Sequence, residues 1–418
     1  KESLVIFLGK KPGMELKCRE NPVVIKLDTP EFKSIFTQEV KDLKSLFDKY
    51  KYEIRIAGGA VRDILMGQQP KDLDFATTAT PQEMKDMFTE ENIRMINMSG
   101  EKHGTITPRI NDKENFEITT LRIDVITDGR HAVVEFTKDW KLDANRRDLT
   151  INSMFLGFDG SVYDYFYGYE DLQNKRIVFV GDADVRIKED YLRIMRYFRF
   201  YGRIAEEPDK HDQKTLEVIR QNAEGLENVA GERIWMELKK MLQGNFAEHN
   251  FLIIGVINPN LEELDRLIKR SQHLELHPMS YLAALMNNMD EVTVLHSRLK
   301  FSGYERDMTY FLVEHRGDKV DSRPLLKMKQ KDAIDFVREV LKYRGNEKLL
   351  KDFNAWKIPQ FPVTGKMLKN QDIPPGKMYG PIINKLKEIW IEKDYNISSS
   401  DLVSLIPSIV EELTLKKK

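Results

Sequence analysis

Cysteine is nearly absent from this chain, which contains Cys18 and no other cysteine in 418 residues. No disulfide can therefore form within the chain, a cysteine-rich zinc site is excluded, and a reducing compartment is expected. The 8 histidines are scattered and show neither H-x3-H nor HExxH spacing, so a histidine-rich metal site is not expected either. A metal bound by this protein would need oxygen ligands.

Long hydrophobic runs and an excess of one charge are also missing. The longest apolar runs, such as residues 251–254, are far shorter than the roughly 20 residues that span a bilayer, so neither a transmembrane helix nor a membrane partner is predicted. Lys and Arg number 66 against 67 Asp and Glu, which gives a formal net charge of −1. This balance excludes a uniformly basic nucleic-acid coat protein, but it permits a basic groove on one face.

The remaining sequence has two textures. From about residue 51 to residue 180, short β-rich stretches alternate with short helical ones. Strands are predicted over 53–57, 73–76, 105–110 and 116–122, and helices over 60–66 and 81–88. After residue 186, apolar residues recur at helical spacing, most clearly over 186–203, 231–242, 331–343 and 382–391. The sequence therefore predicts an α/β or α+β half followed by a mostly helical half.

Residues 1–28 are predicted to be an N-terminal extension. Residues 1–26 carry six basic and three acidic side chains. We interpret them as a loose, mildly basic terminus, with the remnant of a targeting segment as the alternative.

A phosphate-binding turn is predicted at Gly58 and Gly59. A strand that ends in two glycines and runs into a helix leaves backbone N–H groups free at the helix start, and glycine lets a phosphate approach them closely. Arg62 follows on the first helical turn and can add a charge-assisted contact to the same phosphate. An ordinary turn is the alternative.

Two carboxylates, Asp72 and Asp74, follow at the start of the predicted strand over 73–76. Residues two apart on a strand point to one face, so Asp72 and Asp74 should lie together, and they repel each other unless a cation lies between them. Oxygen ligands near phosphate favour Mg²⁺. Glu117, on another predicted strand, would complete this cluster or help to deprotonate a hydroxyl if the two strands are neighbours. The alternatives are a solvated acidic turn and an ordinary strand glutamate.

Two further segments are rich in arginine. Arg147, Asp148 and Asn152 offer donors for phosphate and acceptors for a ribose hydroxyl; an exposed charged loop is the alternative.

In the other segment, Asp190 and Arg193 are three residues apart and would be neighbours on one helix face. An acceptor beside a donor fork matches cytosine and adenine, whereas guanine and uracil would leave the aspartate unpaired. The same helix would carry Arg196 and Arg199 toward a triphosphate or an RNA backbone. An ion-paired surface helix is the alternative.

In their order and spacing, these segments resemble the class II nucleotidyltransferases of the polymerase β superfamily, and most closely the CCA-adding enzymes (tRNA nucleotidyltransferases). The matching segments are GGAVRD, KDLDFATTATP, EKHGT, FEITTLR, RRDLTINS, YGYEDL, EDYLRIMRYFRF and GERIWMEL. A late segment, FPVTGKML with PPGKMYGPIINKL, is similar to the family's tail. The resemblance covers residues 30 to 395 approximately.

The resemblance implies an α+β fold in which a small N-terminal β-sheet head precedes an all-α neck, body and tail. The expected limits are 29–180 for the nucleotidyltransferase head, 181–245 for the nucleotide-selecting neck, 246–345 for the body and 346–418 for the tRNA-binding tail. The stretch 251–317 matches no motif and is assigned only to a helical body. Tyr167 is a departure, because the family usually has a small or polar residue there, and its bulk would disturb the hinge between head and neck.

The resemblance also implies a role for each candidate residue. Asp72 and Asp74 would bind two Mg²⁺ ions, and Gly59 and Arg62 would hold the triphosphate. Arg147 and Asp148 would contact the nucleotide and its ribose. The remaining expectations are a base-pairing protein template at Asp190 and Arg193, phosphate contacts at Arg196 and Arg199, and a flexible loop over 123–136 that assists the switch from C to A addition.

The implied activity is the addition of C, C and A to the 3′ end of tRNA from CTP and ATP. Its partners would be tRNA and the two nucleotides, without an obligatory protein partner, and its location would be mitochondrial, with an additional cytosolic or nuclear form. The alternatives are a class II poly(A) polymerase, an enzyme that adds only CC or only A, and a non-catalytic tRNA-binding protein of the same fold.

Overall fold

The computed structural model describes residues 17–96, 98–128, 131–245, 259–317, 332–356, 360–369, 373, 378–393 and 395–415. The chain divides into two compact units, Lys1–Gly255 and Val256–Lys418. Among the described residues, no helix is both long enough and apolar enough to cross a membrane.

The first unit contains all the described strands. They are β1 (Val23–Lys26), β2 (Ile54–Ala57), β3 (Asp74–Thr77), β4 (Met95–Ile96), β5 (Thr105–Ile110), β6 (Glu114–Asn115), β7 (Glu117–Thr120), β8 (Arg122–Asp128), β9 (His131–Phe136), β10 (Phe155–Leu156) and β11 (Ser161–Tyr163). Nine of them form one sheet in the order β1-β11-β10-β2-β3-β7-β5-β4, with β6 paired to β5. The pair β3 and β7 is parallel, whereas the other neighbours are antiparallel.

The predicted strands agree with this sheet at 53–57, 73–76 and 105–110 to within one residue at each end. The fourth predicted strand, 116–122, is interrupted at Leu121, so that its first part is β7 and its end begins β8. Strands β8 and β9 form a separate antiparallel hairpin. The prediction of a flexible loop over 123–136 is therefore corrected to a hairpin, of which residues 129 and 130 lie outside the described part.

The helices of the first unit alternate with the strands in the chain and then follow them. They are α1 (Pro30–Ser34), α2 (Gln38–Lys49), α3 (Gly59–Leu65), α4 (Pro81–Glu90), α5 (Trp140–Arg146), α6 (Gly168–Gln173), α7 (Ala183–Glu189), α8 (Leu192–Ile204), α9 (Gln213–Asn222) and α10 (Gly231–Leu242). The side chains of Thr80 and Glu83 form the capping box that starts α4. The core beneath the sheet is aromatic; for example, the buried rings of Phe75 and Phe116 meet edge to face with centroids 5.5 Å apart.

One predicted helix is two helices. Residues 186–203 were expected to be continuous, but α7 ends at Glu189 and α8 begins at Leu192. Between them, Asp190 is extended (φ −158°, ψ 105°), and its carboxylate accepts a hydrogen bond from the Leu192 N–H at 3.1 Å. Aspartate satisfies free N–H groups at a helix start, so Asp190 starts a new helix although the apolar spacing continues across it.

Tyr167 occupies the first position before α6 and has a left-handed backbone (φ +65°), which is uncommon for a bulky residue. Its ring lies beneath two cations of the N-terminal segment, with Arg19 4.4 Å and Lys17 4.8 Å from the ring centroid. The departure from the family pattern thus coincides with a packed contact.

The described residues of the second unit are helical, apart from turns and connections. Its helices are α11 (Leu261–Arg270), α12 (Pro278–Leu285), α13 (Met289–Leu299), α14 (Gly303–His315), α15 (Ala333–Tyr343), α16 (Glu347–Ala355), α17 (Gly365–Lys369), α18 (Tyr379–Glu392), α19 (Ser399–Ser404) and α20 (Ile406–Leu415). Near the C-terminus, Ile382, Leu386 and Trp390 of α18 are buried in a cluster with Leu402 and Ile406. The predicted α+β head followed by a helical remainder is confirmed.

Candidate active site

A large cleft of about 1410 Å³ opens in the first unit. It brings together every residue that the sequence nominated. These are Gly58, Gly59, Arg62, Asp72, Asp74, Glu117, Arg147, Asp148, Asn152, Asp190, Arg193, Arg196 and Arg199. Residues separated by up to 141 positions therefore share one concave surface, which is the usual setting of a catalytic site.

The carboxylates lie at the edge of the sheet. Asp74 is the first residue of β3, and the parallel register places it opposite Glu117, the first residue of β7. The condition set for Glu117, a neighbouring strand, is therefore met. Asp72 lies in the bend before β3 rather than on the strand, so the argument that placed it on one strand face with Asp74 is wrong.

The environment of Asp74 disfavours its negative charge. Desolvation by the surrounding cleft raises the pKa of its carboxyl, the charges of Glu117 and Asp72 raise it further, and Arg147 opposes the shift. A cation at this edge would relieve the repulsion. Among the described residues no three His, Cys, Asp or Glu side chains form a complete metal site. Mg²⁺ commonly uses only one or two carboxylates together with substrate phosphates, so Asp72 and Asp74 fit this ion.

The glycine turn lies next to two guanidinium groups. Gly58 has a left-handed backbone (φ +67°), and α3 starts at Gly59. A Cβ at Gly58 would lie 3.6 Å from Arg147 Nη1, and one at Gly59 would lie 3.5 Å from Arg62 Nη2. The absence of side chains here leaves room beside both cations.

Arg62 is almost fully buried, with 4% of its surface exposed. Its guanidinium donates to Asn152 Oδ1 at 2.7 Å and to Asp63 Oδ1 at 2.8 Å. Burial lowers the pKa of Arg62, although the neighbouring Asp63 carboxylate opposes this effect. The contacts fix the guanidinium beside the glycine turn.

Arg147 is oriented by a buried carboxylate. Asp143 accepts from Arg147 Nη2 at 3.0 Å, from Arg146 Nε at 2.8 Å and from the backbone N–H of Arg122 at 3.1 Å. Its carboxyl has a pKa below the ordinary value: burial opposes ionisation, but Arg146 and Arg147 outweigh it. Asp143 thus joins the start of β8 to Arg147.

Asp148 pairs with Arg196 of helix α8. Its carboxylate accepts from Arg196 Nε and from the Leu149 N–H. Burial alone would raise the pKa of Asp148, but the charge and hydrogen bond of Arg196 outweigh it and lower the pKa to about 2. The two predicted nucleotide contacts are therefore directly paired.

Asp190 and Arg193 both line the cleft, but they are not the adjacent pair on one helix face that the sequence predicted. Asp190 accepts from Arg233 Nη2 at 2.7 Å. Arg193 instead donates to the Glu189 carboxylate and, at 2.9 Å, to the Arg186 carbonyl. Because α8 begins after Asp190, each side chain is held by its own partner.

The sequence analysis missed several residues that hold this site. Arg233 binds Asp190, and Glu237 binds Arg199 with Nη1 and Oε2 2.8 Å apart. Both lie on α10, four residues apart, inside the GERIWMEL segment that was matched only as a motif. Asp63 and Asp143 were also overlooked; the signal was available, because each acidic residue stands within four positions of a nominated arginine.

Comparisons with known proteins agree on one family. Residues 54–178 match the family described as "Poly A polymerase head domain", and residues 210–253 match "Probable RNA and SrmB- binding site of polymerase A". The chain is 51% identical to "CCA tRNA nucleotidyltransferase 1, mitochondrial" of Mus musculus over 403 residues, which cover 91% of this chain and 93% of that protein.

Solved structures share the fold. The "CCA-adding enzyme in complex with CTP" of Bacillus stearothermophilus aligns with a TM-score of 0.69 at 23% identity and covers 93% of this chain and 100% of that one. The CCA-adding enzyme of Thermotoga maritima, complexed with tRNA, aligns with a TM-score of 0.55 at 19% identity over 92% and 97% of the two chains.

Proposed function

Because this chain belongs to the CCA tRNA nucleotidyltransferase family, we propose that it adds C, C and A to the 3′ end of tRNA from CTP and ATP. The observation that carries the proposal is the single cleft, in which the carboxylate edge, the glycine turn and the arginine-rich helix α8 meet. Phosphoryl transfer requires positioned cations and carboxylates more than covalent chemistry by the protein, and this cleft offers both.

The carboxylate edge would hold the catalytic metal. Asp72 and Asp74 would bind two Mg²⁺ ions, which when bound lower the pKa of the tRNA 3′-hydroxyl and neutralise the leaving pyrophosphate. Glu117, in register with Asp74, would accept a hydrogen bond or the proton from that hydroxyl. Gly58, Gly59 and the buried Arg62 would hold the triphosphate.

Asp190 and Arg193 would select the base. Support comes from their place in the cleft and from partners that fix each one: Arg233 holds Asp190, and Glu189 holds Arg193. An acceptor and a donor held apart at fixed positions would pair with the amino group and ring nitrogen of cytosine or adenine, and mismatched bases would leave a polar group unpaired. Arg147, Asp148 and Asn152 would contact the ribose and phosphates, and Arg196 and Arg199 would lie near the phosphates.

The β8–β9 hairpin would assist the switch from C to A addition. Its first residue, Arg122, binds Asp143, which also orients Arg147, so the hairpin and the proposed nucleotide contact Arg147 are held by the same carboxylate.

We infer a mitochondrial location from the relative's name, and the additional cytosolic or nuclear form stays a prediction. The limits 29–180, 181–245, 246–345 and 346–418 for head, neck, body and tail are likewise proposed.

The test is nucleotide addition to a tRNA that lacks its CCA end. The protein is incubated with Mg²⁺ and CTP, ATP or both, and products are resolved to the single nucleotide. We expect two additions with CTP alone and a stop at three with both nucleotides. A long ladder with ATP alone would identify a poly(A) polymerase, a stop after CC or after A alone would identify a partial enzyme, and binding of tRNA without addition would support the non-catalytic alternative.

A further inference from the structure

Helix α10 presents a row of polar residues to the cleft. Arg233, Glu237 and Lys240 recur at intervals of four and three residues, and such positions share one face of a helix. Arg233 and Lys240 line the cleft, and Glu237 binds Arg199 of α8. Arg233 and Glu237 hold Asp190 and Arg199, which accounts for two of these three residues. Lys240 has no role in the mechanism proposed above.

The neighbouring Lys239 provides an internal comparison. Its ammonium group lies 5.9 Å from the ring centroid of Trp235 on the same helix. Unlike Lys240, it does not line the cleft. The two lysines are adjacent in sequence and alike in chemistry, so their different surroundings isolate the effect of the cleft.

Positive charge exceeds negative charge at this end of the cleft. Asp63 is shared by Arg62 and Arg203, with N···O distances of 2.8 and 3.0 Å. Asp148 pairs with Arg196, and Glu237 binds Arg199. The cations are Arg62, Arg196, Arg199, Arg203 and Lys240, and the carboxylates are Asp63, Asp148 and Glu237. An excess of positive charge in a concave site attracts a polyanion.

The ionisation of these cations is consistent with that imbalance. Desolvation lowers the pKa of Arg199 to about 10, and Arg196 and Arg62 contribute to the shift while Glu237 opposes it. Lys240 behaves similarly: desolvation and the charge of Arg199 lower its pKa, and Glu237 opposes this. A bound phosphate would supply the missing negative charge.

We propose that Lys240 is a phosphate-binding residue that acts beside Arg199 at the α8–α10 side of the cleft. The proposal rests on the proposed function, since it assigns one more side chain to the same reaction. The phosphate belongs either to the triphosphate of the incoming nucleotide or to the backbone of the tRNA 3′ end. Lysine can bind either phosphate, because its ammonium group is a point charge on a flexible stem.

The test compares Lys240→Gln with the matched control Lys239→Gln in the full-length protein. Initial rates are measured while CTP, ATP and tRNA are varied separately. We expect Lys240→Gln to raise a KM by about tenfold, as for the loss of one charge-assisted contact, with kcat changed by less than about twofold. Lys240→Arg should restore most of the loss, and Lys239→Gln should behave as the wild type.

The KM that changes identifies the source of the phosphate. A rise in the KM for both CTP and ATP would assign Lys240 to the triphosphate. A rise for tRNA alone, with the slope of log KM against log salt reduced by about one, would assign it to the RNA backbone. Equal behaviour of the two glutamine variants would overturn the proposal, as would a fall in kcat without a change in any KM.

Thermal unfolding of each variant checks the fold. If Lys240→Gln unfolds, Lys240→Arg is measured in its place, since it keeps the charge. Should the wild type add no nucleotide, the proposed function fails, and binding of inorganic triphosphate and of tRNA to the same variants still tests Lys240. Weaker binding of either probe to Lys240→Gln than to Lys239→Gln would support the phosphate site, and equal binding of both would overturn it.

Discussion

Asp74 and Asp148 are both carboxylates of the cleft, and their surroundings act on them in opposite directions. Desolvation, Glu117 and Asp72 raise the pKa of Asp74, whereas Arg196 lowers that of Asp148 to about 2. A carboxylate with a raised pKa destabilises the folded state when it ionises, and one with a lowered pKa stabilises it. The charge of Asp148 is thus balanced by Arg196, whereas the charge of Asp74 lacks such a balance and would gain from a bound cation.

Replacing Asp74 should separate activity from stability. Asp74→Asn removes a charge that its neighbours disfavour, so we expect a higher midpoint of thermal unfolding in EDTA than for the wild type. The same change should lower nucleotide addition by roughly a hundredfold or more, because the carboxylate that we propose as a metal ligand is lost. Added Mg²⁺ should raise the midpoint of the wild type more than that of the variant. A lower midpoint in EDTA would contradict the repulsion that we describe.

Replacing Asp148 should have a pH-dependent cost. Its pKa is lowered on folding, so its contribution is present above the unfolded-state pKa of about 4 and is lost as pH falls toward about 2. The contribution is on the order of 2 kcal/mol, which corresponds to a midpoint roughly 4 °C or more lower for Asp148→Asn at pH 7. The difference should shrink between about pH 4 and pH 2. Asp28→Asn, at an exposed ion pair with Lys33, is the control; a difference independent of pH would refute the pairing.

At the scale of elements, the sequence predicts the limits of those helices that depend on local patterns. The capping box at Thr80 and the helical spacing over α10 locate α4 and α10 closely. The break at Asp190 is not visible in that spacing, because apolar residues continue in phase through it. The register of β3 with β7 is also hidden, since these strands lie about 40 residues apart and pair through tertiary contacts. The candidate residues were therefore found, but not the partners that orient them.

The turn at Asp190 requires a glycine at position 225. A Cβ added at Gly225, in the 3₁₀ turn Ala223–Asn228, would overlap the ring of Tyr191, which directly follows Asp190. Gly225→Ala should displace that ring at a cost of about 1–3 kcal/mol, and the displacement should reach Asp190, which we propose to select the base.

We therefore expect Gly225→Ala to lower the thermal midpoint and to reduce the preference for CTP over UTP, measured as the ratio of kcat/KM values. Gly303→Ala is the matched control, because nothing lies within 4 Å of its added Cβ. A destabilised Gly225→Ala variant with an unchanged CTP preference would show that the glycine supports the fold alone.

For the whole molecule, the near-zero net charge conceals an uneven distribution. The chain carries 66 basic and 67 acidic residues, yet the α8 side of its cleft has more cations than carboxylates. Binding of RNA would then depend on a local field rather than on total charge, and salt would largely screen that field beyond roughly a Debye length, about 10 Å at about 0.1 M salt.

This distribution predicts a steep salt dependence for tRNA. With about three phosphate contacts, raising monovalent salt from about 50 to about 200 mM at fixed Mg²⁺ should increase the KM for tRNA by about tenfold or more, because bound counterions are released on association. The thermal midpoint should change little over the same range, which controls for unfolding. A KM for tRNA that stays flat would show that the basic side of the cleft does not bind the RNA backbone, and would leave its excess charge to the nucleotide alone.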